Sequence, residues 1–148
     1  MSAIKKVTHI ATLDKGATQK IAQYTSVASS TLKTKLGDTV YTEFIALPDD
    51  SLVSGEVGFV EYELLSADQK KRRDLETAQA YFMLYYAVPG LKQLEIKNVS
   101  LERAELGEGS LAPSSSNTVE AYQRMFWNLA ISFCDKYSAS GDIGIFVI

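Results

Sequence analysis

The carboxylate pairs Glu61/Glu63, Asp49/Asp50 and Glu102/Glu105 have the residue types and spacing closest to chemistry. On a strand, Glu61 and Glu63 would share a face, which suits a hydrolase dyad or an oxygen-ligand cation site. The plainer reading is a solvated face. The only histidine, His9, stands in a weakly patterned start. A histidine-based nucleophilic triad needs a serine or cysteine held beside it, and no G-x-S-x-G elbow occurs. Too few His and Cys residues are present for a zinc cluster. Gly55-x-x-Gly58 and Gly107-x-Gly109 lack the Lys-Ser/Thr or strand-turn-helix setting of a phosphate loop. The one cysteine, Cys134, forms no internal disulfide and sits among Ile131, Phe133 and Tyr137 as a small buried hydrophobe. The expectation is a protein with no catalytic residue, metal or cofactor.

Two features remain. The run Lys70-Lys71-Arg72-Arg73 opens a helix, where the macrodipole favours anions, and Asp68, Asp74 and Glu76 offset it only in part. It is either a solvated start with pairs such as Arg72 to Glu76, or a contact for an acidic partner or packaged DNA. The aromatic group Tyr81, Phe82, Tyr85 and Tyr86 follows on the same helix. It serves as core, as part of a subunit interface, or as both.

The elements that carry these residues follow from pattern. Residues 1–16 read as an arm, with a turn at Asp14-Lys15-Gly16. From Ala17 to Leu36 the spacing of Ile21, Tyr24, Val27, Ala28, Leu32 and Leu36 predicts one helix, which Gly37 stops. Its many Ser and Thr residues weaken it, so it leans on tertiary or subunit contacts. Asp38 to Leu47 predicts a short helix closed by Pro48-Asp49-Asp50. Val60, Tyr62 and Leu64 alternate with Glu61 and Glu63, which predicts a strand near 57–64. Ser66 and Gln69 form a capping box for a long helix that ends before Pro89-Gly90. Residues 94–106 predict one or two short strands, and 107–116 a mobile loop. Asn117 and Glu120 open a last helix, on which Val119, Tyr122, Phe126, Leu129, Phe133 and Tyr137 make one stripe. Trp127, Ala130, Ile131 and Cys134 widen it. The tail, 138–148, ends on the unbroken apolar run Ile145, Phe146, Val147 and Ile148, a liability unless something pairs with it.

The 148 residues suit a single domain that buries about 68–70% of its unfolded surface. A net charge of −3 speaks against general phosphate binding. No stretch has the features of a signal peptide or approaches the roughly 20 apolar residues of a membrane span. The expected fold is mainly α with a small β element: about four helices, a short hairpin or sheet, and extended termini. The second half of the long helix is apolar almost all round, and such a helix must be covered on every side. One short chain struggles to do that, so neighbouring subunits are expected to help.

In order, these segments resemble the head–tail connector (adaptor) proteins of tailed bacteriophages. The resemblance rests on Leu36-Gly37-Asp38-x-x-Tyr41 after the first helix and on Ala78-Gln79-Ala80-Tyr81-Phe82-Met83-Leu84-Tyr85-Tyr86-Ala87-Val88-Pro89. The Gly/Ser loop leading into the closing helix adds to it. It covers roughly residues 17–137. It implies a non-enzymatic virion protein, made in the host cytoplasm and forming a homomeric ring, a dodecamer in that family. Portal and tail proteins would be its partners, with Ile145 to Ile148 docking on the portal. The strand near 57–64 and the apolar end depart from the common pattern. They leave open another head- or tail-completion role, or a small helical interaction module.

Overall fold

The computed structural model describes residues 5–7, 11–13, 15–90, 96–100, 110–111 and 119–138, and the architecture is mainly helical. The helices are α1 (Lys15–Ala22), α2 (Thr25–Leu36), α3 (Asp38–Ile45), α4 (Ala67–Ala87) and α5 (Val119–Asp135). Short backbone pairings join β1 (Ala11–Leu13), β2 (Ile96–Ser100) and β3 (Ser110–Leu111) in the order β1-β2-β3, antiparallel throughout. Ala11 faces Val99, and Val99 faces Leu111.

The single helix expected over Ala17–Leu36 is two. The Tyr24 amide donates to Ile21 O (3.0 Å) and the Thr25 hydroxyl to Ala22 O (2.7 Å), closing a turn at Gln23–Tyr24. Hydroxyls that compete for backbone carbonyls are the physical reason. Within α2 the Thr31 and Thr34 hydroxyls donate to the carbonyls of Val27 and Ser30. Gly37, at φ +87°, takes its amide to Lys33 O and gives its carbonyl to the Tyr41 amide. It ends α2 and starts α3 at once. α1 begins at Lys15, inside the turn expected there.

α4 starts as its sequence requires. The Gln69 amide donates to Ser66 Oγ (3.2 Å) and the Ser66 amide to Gln69 Oε1 (2.9 Å). Replacing Ser66 with alanine should cost about 1 kcal/mol in urea unfolding, whereas Ser66→Asp should leave stability nearly unchanged. Equal losses in both variants would show that the cap does not hold this helix end.

The core is the seam between α4 and α5, closed by α2. Tyr81 stacks between Phe126 (6.1 Å) and Phe133 (6.2 Å), and Tyr122 stacks on Phe126 (6.1 Å). Ala78, Ala80 and Ala130, all fully buried, let the helices approach. Phe82 and Tyr85 meet Trp127, and Gln79 donates to Ser29 Oγ on α2. Tyr81, Phe82, Met83 and Leu84 are 0% exposed in this one chain. The expectation that a neighbouring subunit must cover them is therefore corrected: α2 and α5 do so. The stripe on α5 is buried at Tyr122, Phe126, Leu129 and Phe133, and Val119 is exposed.

Candidate functional site

No strand forms over 57–64, which corrects that expectation. Residues 46–65 make a long strap between α3 and α4, with tight turns at Gly55 (φ +98°) and Gly58 (φ +91°) and a 3-10 turn at Tyr62–Leu64. Glu61 and Glu63, both exposed, therefore do not form a strand-face dyad. Strands of alternating pattern need ladder partners. Here the Val60 carbonyl accepts from Arg73 Nη1 instead (2.7 Å).

The strap is fastened to α4 by the basic run. Arg73 makes a two-pronged pair with Asp50 (Nε–Oδ2 2.9 Å, Nη2–Oδ1 3.2 Å) and stacks over Phe59 (4.4 Å). Arg72 donates to Glu76 Oε2 through Nε (2.5 Å), to Phe44 O through Nη1 (2.7 Å) and to Asp49 Oδ1 through Nη2 (2.5 Å). Its guanidinium lies over the Phe44 ring (4.4 Å). Bidentate, stacked arginine of this kind cannot be replaced by lysine without loss. Lys6, from the first described residues, adds a contact to Asp50 Oδ2 (2.7 Å), and Lys5 pairs with Glu56. The Asp50 amide donates to the buried Glu76 carboxylate (3.1 Å). Lys71 pairs with Glu43, and Lys70 lies over the Tyr62 ring. Of the two readings of the run, the expected Arg72–Glu76 pair forms, and the two arginines offered as candidate contacts for an acidic partner or DNA are spent inside the chain.

A second anchor sits on the same helix. Asp74, buried, accepts at Oδ2 from the hydroxyls of Tyr62 (2.8 Å) and Tyr137 (2.5 Å) and from Lys136 Nζ (3.1 Å). It ties the strap's 3-10 turn to the end of α5. Burial, then the hydrogen bond and charge of Asp74, push the Tyr137 hydroxyl well above its usual range, so it stays a proton donor. Cys134 is 1% exposed and its thiol is pushed up to about 12, first by burial, which fits the small-hydrophobe reading.

Between strap and α4 lies a cleft of about 230 Å³. Leu47, Leu52, Val60 and Leu65 form its apolar wall, and Asp49 and Asp68 stand among its polar lining. On the outside of the strap, Val57 is 99% and Leu64 77% exposed. This arrangement holds a shape: charges are neutralised in pairs beneath, and apolar side chains stand outward above.

Of the other expected site residues, Tyr85 and Tyr86 are half-buried; Tyr85 packs on Trp127, and Tyr86 shares a hydrogen bond with Thr31 (2.7 Å). Ile145, Phe146, Val147 and Ile148, His9, Asn117, the pair Glu102/Glu105 and most of the 107–116 loop lie outside the described residues. Among the described residues there is no group of His, Cys, Asp or Glu arranged to hold a metal, and no helix long and apolar enough to cross a membrane. Comparison with protein-family models, curated proteins and solved structures finds no match to this chain.

Proposed function

We propose that the chain is a structural assembly subunit, a head–tail connector of a tailed bacteriophage that forms a homomeric ring between portal and tail. The observation that carries this reading is the strap. It presents Val57 and Leu64 to solvent from a base fastened by partly buried ion pairs, so little ordering is left to be done on docking. The order of segments shared with that family supports it further. A helical body with a small β appendage suits a subunit that packs sideways and reaches its neighbours with its ends. The portal and tail proteins are the proposed partners, the virion the proposed location, and Ile145 to Ile148 the proposed portal-docking end. Lys70 and Lys71 are the part of the basic run still partly open to an acidic partner or DNA.

One observation favours a second reading, a self-contained helical interaction module. Tyr81, Phe82, Met83 and Leu84 of α4 are covered by their own chain, and Tyr85 and Tyr86 are half-buried. Solution mass and electron microscopy of the full chain separate the two. A closed ring, alone or on a portal, is the expected result. A monomer or dimer that never grows, even with portal present, would move the assignment to the module. In the ring reading, deleting 143–148 should abolish portal binding while the helical circular dichroism stays unchanged.

A further inference from the structure

The cleft between strap and α4 has room for one side chain of another segment. Its volume is about 230 Å³. A cavity of about 150 Å³ already holds a benzene ring. One phenyl ring with an aliphatic neighbour therefore fits, whereas a helix does not. Leu47, Leu52, Val60 and Leu65 supply an apolar wall for it. Four of the charged groups in the lining are already paired, Arg72 with Asp49 and Arg73 with Asp50. A ligand held by charge would have to break those pairs, so the cleft suits an uncharged apolar side chain.

The chain carries such a side chain within reach. Residues 139–148 follow Ser138, whose hydroxyl donates to Lys35 O (2.8 Å). The neighbouring Tyr137 donates to Asp74, and Asp74 also accepts from Tyr62. Val60 and Leu65 of the wall stand two and three residues from Tyr62, and Arg73 of the lining precedes Asp74. Two tyrosine side chains meeting on one carboxylate oxygen thus separate the start of the tail from the strap that walls the cleft. Phe146 lies eight residues beyond Ser138, a span of up to roughly 26 Å in extended chain. It is the only aromatic residue of 139–148, and Ile145, Val147 and Ile148 flank it. The only charge in that segment is Asp142.

We propose that the cleft is a seat for Phe146 of its own chain, with the ring against Leu47, Leu52, Val60 and Leu65. A short tether holds the ring near the cleft at about millimolar local concentration. A separate partner does not reach that in dilute solution, which favours the chain's own tail over a second copy. Seating the ring removes part of the apolar run from water. The same run is the proposed portal-docking end, so seat and portal compete for it. The seat goes beyond the ring reading and does not depend on it.

The test uses the full-length chain without portal. Val60→Cys/Val147→Cys places one thiol at the cleft and one beside Phe146. Val27→Cys/Val147→Cys moves the first thiol to α2, about 12 Å along the helix from Lys35 and also within the tail's reach. Val60 and Val27 are similarly exposed, at 41% and 38%, and Cys134, at 1%, stays out of the reaction. Circular dichroism confirms that both variants fold. Under copper-phenanthroline oxidation the cleft pair should close within one chain, at a rate independent of protein concentration. It should close roughly tenfold or more faster than the α2 pair, the gain that burying one ring allows. Adding Phe146→Ala to the cleft pair should remove most of that advantage. Equal rates for the two pairs, or no effect of Phe146→Ala, overturn the seat. Disulfides formed only between chains overturn it as well, and make a second copy the donor of the tail. Each of these leaves the ring reading standing, and a chain that never forms a ring leaves the seat standing.

Discussion

Phe126→Ala should remove about 3–5 kcal/mol of stability, the range for emptying a large aromatic from a core. Phe126 is 0% exposed and is flanked by Tyr81 and Tyr122 in the stack that joins α4 to α5. Its neighbours are rings, held in offset stacks, and they cannot collapse into the space without leaving their rotamers. A chain of this size has only about 5–15 kcal/mol in total, so the variant should unfold at much lower urea. The sole tryptophan, Trp127, sits 5.2 Å from Phe82 and 4.8 Å from Tyr85, so its fluorescence reads this seam directly. Phe126→Leu should lose clearly less, because most of the volume is kept. A loss near 1 kcal/mol for the alanine variant would mean that the α4–α5 seam is not the centre of the core.

Local signals in the sequence translated well into structure. The capping box at Ser66 and Gln69 needs only residues three apart, and both of its hydrogen bonds form. The pair Arg72–Glu76, one helical turn apart, was legible for the same reason. The stripe on α5 buries Tyr122, Phe126, Leu129 and Phe133, four of its six positions, because helical period decides which residues share a side. Much of what failed depends on distant partners. Val60, Tyr62 and Leu64 alternate like a strand, but a strand needs a ladder neighbour. Here the Val60 carbonyl goes to Arg73, while the Tyr62 hydroxyl goes to Asp74. The pairing of Arg73 with Asp50 spans 23 positions and leaves no mark in either neighbourhood. Nor does an all-round apolar helix say who covers it. Phe126, Phe133 and Trp127 of α5 pack on Tyr81 and Phe82, which are sealed within one chain.

Arg73→Ala should be the most damaging change at the strap, costing about 3 kcal/mol near neutral pH. That is the low end for breaking a buried pair, because the Arg73 and Asp50 side chains keep 11% and 16% of their exposure. The alanine leaves Asp50 with Lys6 alone, frees the Val60 carbonyl and uncovers Phe59. Arg73→Lys should recover part of the loss, since it keeps the charge without the two-pronged geometry. The pH dependence identifies the cause. Burial by itself raises the Asp50 pKa, but hydrogen bonds from Arg73 and Lys6, with their charges, outweigh it and hold the carboxyl below its ordinary value. The unfolded chain therefore binds this proton more tightly than the folded one. The contribution is fully present above the ordinary aspartate value of about 3.9 and is lost as pH falls through the lower folded value. The gap in stability between wild type and Arg73→Ala should accordingly narrow as pH drops below that range. A gap unchanged from neutral pH into the acid range would mean that Arg73 acts through packing on Phe59, and that the strap is not held by charge. If charge does hold it, the variant should also assemble poorly while its helices remain folded, because Val57 and Leu64 would no longer stand on a fixed base.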